Sequence, residues 1–163
     1  MIAKILEFIF GGSKNNAPVV VQSRKPIISK REGLIQKLES DHKKLFNAWN
    51  DVLDHAEAKR FAEFQSGLTA FGKTLTKHTT LEDITLYLTL EIHKETKDFS
   101  RKMKEEMTQI KLSLNVFFEK YRFMAEKDVD YNVLAKELNY ITDSLKTRVL
   151  NEESKLYPLY DNL

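Results

Sequence analysis

Two short stretches carry side chains whose types and spacing could do chemistry. In His78-Thr79-Thr80-Leu81-Glu82-Asp83 an imidazole stands four residues before a carboxylate, and Leu86-Tyr87 follows four residues after that acid. The spacing recurs in Arg148-Val149-Leu150-Asn151-Glu152-Glu153, with a guanidinium in place of the imidazole and Leu156-Tyr157 behind it. Positions i and i+4 share one face of a helix, so each stretch aims two polar groups the same way. If that face looks at a core, the groups must pair with one another or bind something. There is no Ser-His-Asp arrangement, phosphate-cradling glycine loop or nucleotide motif, so the expectation is a binding protein and not an enzyme.

Four long helical segments position these residues. The first carries an apolar seam at Ile35, Leu38, His42, Leu45, Trp49 and Val52, and Ser29 with Glu32 offers it a capping box. The second runs Phe61, Phe64, Leu68, Phe71, Leu75, His78, Glu82. The third runs Met103, Met107, Ile110, Leu114, Phe117, Tyr121, Met124. The fourth runs Leu134, Leu138, Ile141, Leu145, Arg148, Glu152, Leu156. Spacings that alternate between three and four mark helices packed at shallow angles, and no period-two run competes. The predicted fold is all-α, an antiparallel up-down-up-down four-helix bundle over residues 30–163. Residues 1–29 form a separate N-terminal amphipathic segment and linker. There Met1 to Phe10 is apolar with two charges, and Gly11-Gly12, Pro18 and Pro26 mark the linker. The first ten residues are too short to span a bilayer; they are expected to pack as a short helix on the main body, or else to make a weak membrane or partner contact.

The seams place His42, His78, Glu82, Arg148 and Glu152 at core positions. In an up-down bundle, residues equidistant from a turn lie at one height. The midpoint of His42 and His78 is residue 60, within the turn-like Glu57 to Arg60. That of Met107 and Arg148 falls inside Ala125 to Asp128, and that of Glu82 and Met107 beside His93-Lys94-Glu95. His42, His78, Glu82, Met107, Arg148 and Glu152 are thus predicted to share one or two adjacent layers.

Composition narrows the partners. A chain of 163 residues suits one domain with a real core, and 42% hydrophobic with 31% charged residues fits a helical protein. The net charge of +2 is spread among interspersed acids and bases, so nucleic acid is not expected as a partner. The absence of cysteine excludes disulfides and thiolate metal sites and fits a cytoplasmic setting.

These residues together resemble the hemerythrin-like (HHE cation-binding) family over roughly residues 30–163. Asp41-His42 with Leu45 is similar to the family's first-helix motif, His78 to Glu82 with Leu86-Tyr87 to its second, and Glu152-Glu153 with Leu156-Tyr157-Pro158 to the acidic end of its fourth. The resemblance implies a four-helix bundle with a di-iron centre, in which first- and second-helix histidines serve one iron, third- and fourth-helix histidines the other, and glutamates bridge. Two departures stand out: Met107 and Arg148 occupy the places of the third- and fourth-helix histidines. One iron's imidazoles survive and the other's are gone.

His42, His78, Glu82 and Glu152 remain a sensible set for one iron, manganese or zinc ion. Arg148 stays protonated and cannot ligate; its guanidinium is expected in the degenerate second metal position, neutralising Glu82 or Glu152. The expected function is a cation-binding, sensing or regulatory module holding at most one metal, not an oxygen carrier. The alternative is a metal-free bundle acting by protein binding, since Arg148 and the acid pair also resemble the last helix of anti-sigma regulators of the regulator-of-sigma-D and AlgQ type. His55 and His93 are expected outside the site. Lys94 to Glu106 is expected as a solvated face, Trp49, Phe71 and Phe117 as core, and Tyr87 and Tyr157 as core packing in preference to partners of the site.

Overall fold

The computed structural model describes residues 30–163. The expected N-terminal helix, its linker and the Ser29 half of the capping box lie outside the described residues. The first helix runs Lys30–Glu57. The second runs Phe61–Leu81, passes through a π-helical turn at Glu82–Tyr87 and resumes as Leu88–Ile92. The third is Lys94–Arg122. The fourth runs Tyr131–Asn151, then a π-helical turn at Glu152–Leu156, then Tyr157–Asp161. There is no strand among the described residues.

Each change of direction has a local cause. After Glu57 the chain turns back through Lys59, whose φ of 54° is left-handed, and the Arg60 amide donates to the His55 carbonyl at 2.9 Å. That is the bonding of a helix C-terminus closed by one left-handed residue, a place usually given to glycine. His93 adopts extended backbone (φ −93°, ψ 124°), which breaks the helix between Ile92 and Lys94 without glycine or proline. Asp130 caps the fourth helix, its carboxylate accepting from the amides of Asn132 at 2.9 Å and Val133 at 3.2 Å.

Side-chain contacts fix the antiparallel register. Between first and fourth helices, His42 meets Glu152 while Trp49 Nε1 donates to Thr142 Oγ1 at 2.9 Å. Between second and third, Lys111 pairs with Asp83 at 3.5 Å while Gln65 donates to the carbonyls of Tyr121 and Met124. Between third and fourth, Lys120 bonds Glu137 at 2.6 Å while Arg148 reaches Met103. In each case rising numbers on one helix meet falling numbers on the other.

Every seam residue read from the sequence is buried except Ile35, Ile110 and Met124, which are half-buried. The core has two parts. The larger, toward the turns at Lys59 and Glu126–Asp128, packs Trp49, Phe64, Phe71, Phe117 and Tyr121 with aliphatic neighbours. The smaller, at the end that holds both Lys30 and Leu163, packs Leu38, Leu86, Tyr87, Leu90, Met103, Leu156, Tyr157 and Tyr160. Between them lies a layer of buried polar groups.

Uninterrupted α-helix through the two paired stretches is not what forms. A π turn adds one residue per turn, so the buried face shifts and takes in consecutive residues. Burial runs 78, 79, 82, 86, 87, 90 on the second helix and 148, 149, 152, 156, 157, 160 on the fourth. The sequence echo is therefore a structural one, with a π turn beginning at the acid each time.

Candidate metal centre

The polar layer is built by His42 from the first helix, His78 and Glu82 from the second, and Arg148 and Glu152 from the fourth. None is more than 4% exposed, so water does not screen them. One ligand atom from each of His42, His78, Glu82 and Glu152 lies within 4.8 Å of all the others. His42 Nε2 is 3.1 Å from Glu152 Oε2, and His78 Nε2 is 3.6 Å from Glu82 Oε2. The two imidazole rings are 4.7 Å apart between centroids. Met107 lines the same small cavity from the third helix. All six residues placed in adjacent layers by the sequence arithmetic thus meet.

Arg148 lies against the carboxylate as expected, and Glu152 is the one it takes. Its Nε donates to Glu152 Oε1 at 2.5 Å, Nη1 to the Met103 carbonyl at 2.6 Å, and Nη2 to the Tyr87 hydroxyl. The two tyrosines correct the expectation of plain packing. Both rings are buried in the smaller core, but both hydroxyls enter the polar layer, and each crosses to the other stretch. Tyr157 donates to Glu82 Oε1 at 3.0 Å and lies 3.2 Å from His42 Nε2, with its ring stacked on the imidazole. Tyr87 receives Arg148. The extra residue in each π turn is what swings the tyrosine inward behind its leucine.

The titration of these groups follows from burial and pairing. Burial alone would lower the His42 pKa, but hydrogen bonds to Glu152 and Glu153 outweigh it and raise the value to about 9. His78 is lowered to about 4, first by burial and then by the charge on His42. Burial, with Glu152 nearby, lifts Glu82 to about 8 despite Arg148. Glu152 is also pushed up by burial, yet its bond to His42 and the charge of Arg148 bring it below the usual carboxylate range. Near neutral pH these shifts favour a protonated His42 beside Arg148 and an ionised Glu152, with His78 and Glu82 held toward their uncharged forms.

Two features of this arrangement fit a metal ion. Glu82 Oε2 is buried without a hydrogen-bond partner among the described residues, 3.6 Å from His78 Nε2. Two imidazoles and two carboxylates also form a mixed N/O set of the kind that iron, manganese and zinc accept. His42 is further oriented in the way of ligating histidines, since its second nitrogen, Nδ1, bonds Glu153 Oε1 at 2.8 Å. His78 lacks such an outer partner among the described residues: its Nδ1 is buried and unbonded there.

Residues 33–160 match the sequence model of the hemerythrin HHE cation binding domain. The chain belongs to this family. No curated protein and no solved structure matches it. In this HHE domain Met107 and Arg148 line the same cavity as the His/Glu cluster.

Sequence reasoning found the four clustered residues of this HHE domain and missed Glu153 as the partner of His42. The Glu152-Glu153 doublet was the available signal, because after a core carboxylate the next residue points along the neighbouring face toward the first helix. His55 and His93 stay outside the cluster, as expected, and both are half-buried. In the charged run from Lys94 to Glu106, Thr96, Ser100 and Met103 are buried and the rest is at least partly solvated. Among the described residues no helix is long and apolar enough to cross a membrane.

Proposed function

We propose that this HHE domain holds one divalent transition metal, with iron the first candidate, through His42, His78, Glu82 and Glu152. It acts as a sensing or regulatory module, not as an oxygen carrier or an enzyme. The observation that carries this reading is the convergence of ligand atoms from four buried side chains within 4.8 Å, one of those side chains, Glu82, having an orphaned carboxylate oxygen among the described residues. Against a two-metal centre stand Met107 and Arg148. A guanidinium brings a fixed positive charge and only donors, which repels a second cation and offers it nothing. Protein purified without chelator or nickel resin is expected to contain up to one transition metal per chain by elemental analysis. His78→Ala is expected to lose that metal, and two irons per chain in the parent protein would overturn the proposal.

A second reading is a metal-free bundle that works by protein contact, as a sigma-factor-binding regulator would. It is favoured by the pairing within the layer, since Arg148 and His42 are both matched by glutamates. The second helix also presents Ile84, Leu88 and Ile92, more than half exposed, one turn apart on one face. Metal-free protein that captures sigma factor or polymerase in a pull-down, and loses capture on Leu88→Asp, would establish it in place of the first.

A further inference from the structure

Apart from the polar layer, the fold holds a long groove of about 700 Å³ between the second and third helices. Its floor is apolar: Leu68 and Leu75 from one side, Leu114 and Phe118 from the other. Gly72 permits this floor, because a Cβ there would stand 3.2 Å from the Phe118 ring. A polar contact between the two helices marks each end. At one, Gln65 donates to the Tyr121 carbonyl at 2.7 Å and to the Met124 carbonyl at 3.2 Å. At the other, Lys111 bridges to Asp83. Between these stops Leu68 to Thr80 spans about 18 Å of helix.

The rim is basic. Lys73, Lys77, Lys111 and Arg122 line the groove against the single acid Glu119. Arg122 is committed to Glu119 at 3.7 Å and Lys111 to Asp83, whereas Lys73 and Lys77 form no ion pair among the described residues. These two lie one turn apart on the same helix face, above the apolar floor. The volume falls in the range of small-molecule sites, and its composition, an apolar trough with a few charges at one edge, is typical of them.

We propose that this groove binds a free long-chain carboxylate, its alkyl chain on the Leu68–Leu75–Leu114–Phe118 floor and its head between Lys73 and Lys77. Charge complementarity selects an anionic head, and the length of the apolar floor between the two contacts fits one extended alkyl chain. Leu75 and Thr79 line both the groove and the cavity of the His/Glu cluster, so the ligand shares a wall with the polar layer. The proposal stands independently of whether the cluster holds metal.

Calorimetric titration of the delipidated full chain with dodecanoate tests it, with dodecanol and anionic phospholipid vesicles as comparison ligands. Dodecanoate is expected to bind at one molecule per chain. Lys73→Glu combined with Lys77→Glu should weaken it roughly tenfold or more. Thr76→Trp, which fills the groove from an exposed position, should abolish it while the helical circular dichroism stays that of the parent. Equal binding of dodecanol, binding to vesicles alone, or undiminished dodecanoate binding in both variants would each overturn the proposal.

Discussion

Replacing Arg148 with methionine is expected to cost the metal-free protein about 3–5 kcal/mol of folding stability, the range seen when one partner of a buried ion pair is removed. The loss should appear as a lower urea midpoint at unchanged slope. The guanidinium is the permanent cation of the polar layer, and Glu152 is fully enclosed beside it. Without it, Glu152 keeps only His42 as a counter-charge, and the Tyr87 hydroxyl loses its donor. A methionine of similar length keeps the packing, so the cost isolates charge and hydrogen bonding. Arg148→Met with Glu152→Leu should recover most of the loss, because burying neither charge avoids the desolvation of both. A cost below about 1 kcal/mol in the single variant would refute the layer's dependence on this cation.

Stability of the metal-free protein is expected to fall as pH rises from about 6.5 to 9. His42 has a folded pKa of about 9 against an ordinary 6.5. Its contribution is fully present below 6.5 and is lost as pH climbs through 9. Glu82, raised from 4.5 to about 8, acts in the same direction, since the fold holds a proton that the unfolded chain has already released. His78, lowered to about 4, opposes Glu82 between pH 4 and 6.5, so the profile should be nearly flat there. Above 6.5 the two losses add, on the order of 5 kcal/mol in total. A divalent metal competes with the same two protons, so its apparent affinity should rise steeply with pH, by up to about a hundredfold per unit near pH 7. Chemical denaturation at a series of pH values, paired with metal titrations, checks both slopes. Stability that rises from pH 7 to 9 in the metal-free protein would contradict the protonation states assigned to His42 and Glu82.

Much of this was legible in the sequence because bundle geometry is regular. The three-four seams identified the buried faces, and equal distance from a turn put residues at equal height. Hence His42, His78, Glu82 and Glu152 converge as the spacing requires, and Met107 and Arg148 stand beside them. The π turns were not legible. They follow from where the chain can best bury Leu86-Tyr87 and Leu156-Tyr157, which is decided by the neighbouring helices and not by local propensity. The crossed tyrosine hydroxyls were hidden for the same reason, since a period of 3.6 sends those rings to a different face. Glu153 was obscured by its position one residue beyond the seam, where an acid usually faces water. The groove escaped notice because a cleft between helices depends on how far they splay, and seam spacing does not encode that distance.

The polar layer also divides the molecule mechanically. Apolar contacts are non-directional, and each of the two cores is held by its own side chains, whereas the layer between them depends more on directional bonds, which weaken together once one partner is withdrawn. Its interruption separates the end carrying Leu38, Leu90 and Tyr160 from the larger core. The bundle is then expected to behave as two cooperative units joined by an electrostatic seam, the smaller opening before the larger. Native-state hydrogen exchange should show the amides around Leu86–Leu90 and Leu156–Tyr160 exchanging through a lower-energy opening than those around Trp49 and Phe64, and occupation of the His/Glu cluster should narrow that gap. Equal opening energies at both ends of the metal-free protein would mean that the layer transmits cooperativity instead of interrupting it.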